Sequence, residues 1–134
     1  MSTALVFGVF DGLHAGHNFL FNTARKYGDK LKVVLTPDEV VFLLKGHAPK
    51  FNFEERLKHL KSVDGIDEII KGDLTLSSWA ILDRVKPDVI VLGYDQQTLQ
   101  EDLLSHIQEK GLNIKIYIAA PFEPEKYHSS LLNI

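Results

Sequence analysis

Two histidines three residues apart, His14 and His17, stand in the stretch GVFDGLHAGH, directly after the apolar run ALVF. Imidazoles at that spacing, among Gly8, Gly12 and Gly16, suit the binding of a phosphate. Glycines let the chain turn tightly and let a ligand come close to the backbone. Gly16 and His17 are expected to open a helix, whose first N–H groups and dipole attract an anion. His14 precedes that start and His17 lies in its first turn, so both rings can face one anion. A metal site suits the pair less well. No third ligand is near, and the histidines bracket a helix start instead of sharing a helix face. The glycine spacing also departs from the G-x-G-x-x-G dinucleotide pattern. The plain alternative is a strand-to-helix turn in which Asp11 forms an Asx-turn.

Three further segments carry candidate residues. LLKGHAPKFNFEER offers the cations Lys45 and Lys50, then Arg56 with Glu54 before it. VIVLGYDQ ends an apolar run with Gly93, where a base or ribose can lie on the backbone, followed by the polar Asp95 and Gln96. KYHSSLLNI places His128, Ser129 and Ser130 ahead of two leucines, although serine favours a helix N-cap in any protein.

The elements that must position these groups alternate in kind. TALVFGVF, KLKVVLT, GIDEIIK, PDVIVLG and NIKIYIA are short, β-branched and nearly continuous in apolar character, as strands covered on both faces are. Between them, helical spacing runs from His17 to Tyr27, Phe53 to Val63, Leu76 to Val85 and Leu99 to Lys110. Gly28 and Gly111 close helices, and Lys45 to Phe53 reads as a polar loop long enough to be a mobile arm. The order predicts an α/β protein: a Rossmann-like, open, mainly parallel five-stranded sheet with helices on both faces. Residues 1–134 are expected to form a single domain. Ligands in such sheets bind beyond the carboxyl ends of the strands, where strand order switches. The loops after LVFGVF, VIVLG and IYIAA are therefore expected to share one site.

Composition narrows the chemistry further. A chain of 134 residues with 45% apolar residues can bury one core, and a net charge of −3 argues against a nucleic-acid partner held by a broad basic surface. With no cysteine, thiolate metal sites, Fe–S clusters and a cysteine nucleophile are excluded. No apolar run has membrane-spanning length and the N-terminal pattern is not that of a signal peptide, so a soluble cytoplasmic protein is expected.

GVFDGLHAGH resembles the G-T-F-D-x-x-H-x-G-H signature of the cytidylyltransferase-like nucleotidyltransferases, with Val9 where that family usually has threonine. The resemblance implies transfer of a nucleoside monophosphate from a nucleoside triphosphate to a phosphate-bearing acceptor. Pyrophosphate leaves in line, and Mg²⁺, bound mainly through the phosphates, bridges them. It implies His14 and His17 as donors to the α- and β-phosphates, with Lys45 reaching the triphosphate from the opposite side. Gly8, Val9, Phe10, Asp11 and Gly16 belong to the implied nucleotide loop, and Arg56 matches an E-x-R helix pattern. Asp11 either orients a histidine or lies near the metal.

LGYDQ is similar to the G-x-D-Q of the archaeal-type FAD synthase branch, which implies ATP and FMN as substrates and Gly93, Asp95 and Gln96 as nucleotide contacts. KYHSSLLNI is similar to the family's S-T-T-x-I element, so His128, Ser129 and Ser130 are implied to hold the triphosphate. The arginine usual upstream of that element is absent; Glu123 lies near its place, with Lys126 as the substitute. Phe42, Phe51 and Phe53 are candidates to floor an isoalloxazine. Three alternatives stay open: a cytidylyltransferase using CTP and glycerol 3-phosphate, an adenylyltransferase on a sugar phosphate, and a nucleotide-binding regulatory module without catalysis. The resemblance further implies a homodimer.

Overall fold

Three strands, β1 (Thr3–Gly8), β2 (Lys30–Leu35) and β4 (Val89–Leu92), occupy the middle of one sheet. Strands β3 (Glu68–Lys71) and β5 (Lys115–Ile118), each opening on a charged residue, form its edges, in the order β3-β2-β1-β4-β5. Every neighbouring pair is parallel, as expected from the alternation of strands and helices. A computed structural model describes residues 2–13, 15–73, 79–94 and 96–119. All four residues of β4 are buried, whereas β3 and β5 leave their ends in solvent. That gradient is the physical reason for the order: strands with apolar side chains on both faces must be covered on both faces.

The period-2 alternation of β1 feeds two cores. Ala4 and Val6 pack with Phe21, Ala24, Leu31, Val33 and Leu60 on one face, while Leu5 packs with Val34, Ile81, Leu82, Ile90 and Leu103 on the other. Helix α1 (Ala15–Arg25) buries His17, Leu20, Phe21 and Ala24, an i, i+3, i+4, i+7 stripe. Helix α3 (Phe53–Lys61) joins it on this face through Leu60. Its start is set by a capping box: the Asn52 side chain accepts from the Glu55 N–H, and the Glu55 carboxylate accepts from the Asn52 N–H. Helices α4 (Ile81–Val85) and α5 (Gln97–Lys110) cover the opposite face. Gly111, with φ of 64°, caps α5 as expected. Among the described residues, no helix is long and apolar enough to cross a membrane.

Two findings depart from the sequence reading. Asp38–Lys45 forms a helix, α2, that the reading did not assign. Its sequence, DEVVFLLK, is short and centres on five consecutive apolar residues, a run that suits a buried strand as well as a helix; Val40 and Val41 are buried while Phe42, Leu43 and Leu44 are exposed. The polar stretch that follows is not a free arm, because its backbone is bonded to the loop after β1.

Candidate active site

β1 pairs with β2 through Gly8, and the Gly8 carbonyl then accepts from both the N–H and the Oγ1 of Thr36. Beyond Gly8 the chain turns sharply. Phe10 (φ 50°) and Gly12 (φ 95°) are both left-handed, and the Gly12 N–H donates to the Phe10 carbonyl at 3.1 Å. A left-handed phenylalanine is a strained choice that its surroundings must enforce. Here the enforcement is packing: the ring is 1% exposed, and it meets the His17 ring edge-on at 5.2 Å and Phe21 at 5.3 Å. The same ring folds back over Gly8, where an added Cβ would lie 2.6 Å from Phe10 Cζ. Phe10 is therefore a wedge that orients His17, which is itself 4% exposed in the first turn of α1, beside the positive end of the helix dipole.

Asp11 draws the second cluster to the first. Its two carboxylate oxygens accept from the N–H groups of Lys50 and Phe51, at 2.7 and 2.8 Å. Arg56 completes the tie. Its guanidinium is 0% exposed and donates to the Phe51 carbonyl (3.0 Å), the Val9 carbonyl (2.9 Å) and the Asp38 carboxylate (2.6 Å). One side chain thus joins the exit of β1, the head of α2 and the polar loop. Direct contact of this guanidinium with a bound molecule would require breaking those bonds. Lys45, in the last turn of α2, stays half-buried in the field of Asp11 and Arg56. Burial lowers its pKa below the ordinary 10.5; Asp11 opposes that shift and Arg56 reinforces it.

At the exit of β4, the Gln96 side chain is 3% exposed, its Oε1 accepting from the Gly93 N–H at 2.6 Å and its Nε2 donating to the Phe7 carbonyl at 3.1 Å. Both ends of this amide are committed to backbone, where the sequence reading had expected contact with a nucleotide. Gly93 and Tyr94 remain at the rim of the crevice. His14, Asp95, Lys126, His128, Ser129 and Ser130 lie outside the described residues. Among the described residues, no group of three His, Asp or Glu side chains is gathered as a metal site.

A cavity of about 360 Å³ opens at the same sheet edge, walled by Phe7, Val34, Val40, Leu44, Trp79 and Leu99. Gly8 and Val9 form its border with the turn after β1, and Thr36, Asp73, Thr98 and Asp102 supply its polar groups. Trp79 is held in a left-handed conformation (φ 54°), with its ring edge-on to Phe7 at 5.6 Å and its Nε1–H donating to Asp102 at 2.8 Å. The expected aromatic floor lies elsewhere. Phe42 is 56% exposed, Phe51 packs edge-on to His59, and Phe53 carries Arg56 and Lys71 over its ring. The sequence reading missed Trp79 and Asp102, although a chain with a single tryptophan invites the question of what that ring serves.

The Arg56 tie sets an expectation. Arg56→Ala leaves the Val9 and Phe51 carbonyls and the partly solvated Asp38 carboxylate without their donor and should cost about 2–3 kcal/mol, since no charge is left fully buried. Lys45→Ala, at a half-buried helix end, should leave the urea midpoint within about 0.5 kcal/mol of the parent. Urea unfolding of the two variants checks the contrast.

Residues 5–133 match the model of the cytidylyltransferase-like family. The FAD synthase of Pyrococcus horikoshii is 38% identical over 112 residues, 84% of this chain and 76% of that protein. The FAD synthase of Aciduliprofundum boonei is 34% identical over 133 residues, 99% of this chain and 85% of that protein. Among solved structures, the lipopolysaccharide core biosynthesis protein from Thermoplasma volcanium superposes with a TM-score of 0.83 at 32% identity, covering 92% of this chain and 99% of that one. A pantoate-beta-alanine ligase from Francisella tularensis shares the fold alone, with a TM-score of 0.65 at 14% identity, covering 96% of this chain and 65% of that one. With the match running along nearly its whole length, the chain belongs to the cytidylyltransferase-like family.

Proposed function

We propose that the chain is a nucleotidyltransferase that makes FAD and pyrophosphate from ATP and FMN, working as a single domain. The observation that carries the reading is the apolar, tryptophan-walled cavity bordering the turn after β1, where an anion site and a flat ring system can meet. Its volume falls in the range of small-molecule sites. The names of the relatives at 34–38% identity support the same activity.

In this reading an FMN phosphate oxygen attacks the α-phosphorus of ATP. The bond to pyrophosphate breaks in line, and pyrophosphate leaves with the electron pair. Charge grows on the equatorial and leaving oxygens, so the protein supplies fixed donors and no covalent nucleophile. His17, locked by Phe10, and His14 donate to the α- and β-phosphates. Lys45 faces the triphosphate from α2, and His128, Ser129 and Ser130 hold its far end. Gly8, Val9, Gly16 and Gly93 offer backbone to the nucleotide, with Asp95 reading ribose or base. Phe10, Asp11 and Arg56 act by holding these elements in place. Trp79 and Leu99 wall the isoalloxazine. Mg²⁺, held mainly through the phosphates of the substrates, would neutralise their charge when bound. The substrates are small molecules, with no nucleic-acid partner, and the chain works as a cytoplasmic homodimer, a state that sedimentation tests.

The test is pyrophosphate release, pairing ATP or CTP with FMN, glycerol 3-phosphate or a sugar phosphate. ATP with FMN should be the productive pair, and His17→Ala should lower its kcat by about 10²–10³-fold with a smaller change in ATP affinity. Turnover with CTP and glycerol 3-phosphate alone would overturn the substrate assignment. Triphosphate binding without turnover of any pair would identify a regulatory module.

The lowered Lys45 pKa carries a sign. The cation is the form that attracts phosphate, and it is lost as pH rises through a value below 10.5. The kcat/KM for ATP, which reports the free enzyme, should therefore fall on the alkaline side. Lys45→Arg, charged across that range, should remove this limb. An unchanged limb would assign it to another group.

A further inference from the structure

β1 and β4 are neighbours at the centre of the sheet, yet they pair only at Ala4↔Val89 and Leu5↔Ile90. On its other side β1 stays paired with β2 through Gly8, and β4 stays paired with β5 through Leu92. The two strands are therefore each held by an outer partner while they part from one another toward their carboxyl ends. This is the switch point, where the open sheet makes its crevice. In the gap sits the Gln96 carboxamide, accepting from the Gly93 N–H of one strand exit and donating to the Phe7 carbonyl of the other. The residue is anchored from behind as well: its N–H donates to the Gly93 carbonyl, and its carbonyl accepts from the Gln100 N–H in α5.

We infer that Gln96 is a positioning residue that sets the width of the crevice between β1 and β4, and through it the seat of the nucleotide. The inference rests on the nucleotidyltransferase reading and deepens it. The span demands one acceptor and one donor on a single flat group, which glutamine provides without titrating. Glutamate has the same shape, but when ionised it sets a carboxylate oxygen against the Phe7 carbonyl. Methionine fills the volume and makes neither bond. Because the amide is buried, losing it leaves the Phe7 carbonyl and the Gly93 N–H without their partner, and the strand exits are released from a fixed separation. The walls that would shift are Gly8–Val9 and Gly93–Tyr94, the backbone offered to the nucleotide. Phe7, whose carbonyl the amide holds, also walls the acceptor cavity and meets Trp79, so that cavity feels the loss as well, but through one shared wall and not through both strand exits.

The test compares Gln96→Met and Gln96→Glu with the parent protein, measuring ATP affinity by calorimetry, the KM for each substrate, and the melting temperature. Both variants should weaken ATP binding by about ten- to a hundredfold, with a clearly smaller rise in the KM for FMN. Wild-type ATP affinity in folded variants overturns the inference, and so does an equal rise in both KM values, which marks general loosening. If the variants do not fold, the parent protein decides. The side-chain amide protons of Gln96, followed by ¹⁵N NMR, should exchange far more slowly than those of exposed glutamines and should shift when ATP is added. Fast exchange, or no shift at saturation, overturns it. A parent protein that binds neither ATP nor CTP overturns the functional reading and this inference with it. ATP binding by the parent with indifferent variants overturns this inference alone.

Discussion

Burying a guanidinium costs several kcal/mol in lost hydration unless its donors are met, and in this protein the site is built around meeting them. Arg56 is wholly inaccessible and donates to three oxygens from three separate segments: the turn after β1, the first residue of α2 and the loop before α3. The polar loop has little apolar surface with which to pack itself. Its position follows from these bonds and from the two that Asp11 accepts. By contrast the solvent-facing Lys32–Glu68 pair at 3.1 Å joins two strands already paired in register, and such pairs add little. Charge acts here as architecture first.

That architecture divides the sheet edge into two environments. On the side of α1 and α3, Phe10 pins His17 beside the helix dipole, and Lys45 carries its charge in a place where burial already destabilises it. A cation with reduced hydration gains more from an approaching phosphate than one in open water. On the other side, the cavity under α4 and α5 is apolar except for groups fixed at its border, notably Asp102 on the Trp79 indole. The two left-handed aromatic residues, Phe10 and Trp79, sit one in each environment. Backbone strain of this sort persists only where packing over-determines it, and in each place the strained ring packs on a residue of the candidate site, Phe10 on His17 and Trp79 on Phe7.

The order of elements was legible because it follows from local patterns. All five apolar runs are strands, and each of the four helical stretches contains a helix whose buried face holds part of the expected set. These are Leu20, Phe21 and Ala24 in α1, Leu60 in α3, Ile81 and Leu82 in α4 and Leu103 in α5, while Tyr27 and Leu104 are exposed. Helix α2 was not legible. Five apolar residues in a row, Val40 to Leu44, fit a buried strand as well as a helix, and only the cavity on one side of that segment explains its character. The cavity's own lining could not be assembled from sequence either. It draws Phe7, Val34, Trp79 and Leu99 from distant positions, whereas the aromatic residues close together in sequence, Phe42, Phe51 and Phe53, do not line it.

By itself the sequence determined the residue types at the sheet edge and the chemistry they suit: imidazoles and glycines at a helix start and a polar group after β4, whereas a lysine across from them is implied only by the family resemblance. Spacing along the chain is enough for that, since a strand followed by a helix has few ways to present its turn. Which polar groups face a ligand and which hold the walls was decided only in three dimensions. Arg56 and Gln96 read as ligand contacts because both are polar residues inside suggestive motifs. The fold turns both inward, because segments that leave the regular hydrogen-bond ladder at a switch point expose backbone N–H and carbonyl groups that must find partners. Those partners come from across the chain, Arg56 to Val9 and Gln96 to Phe7, and no local pattern records them.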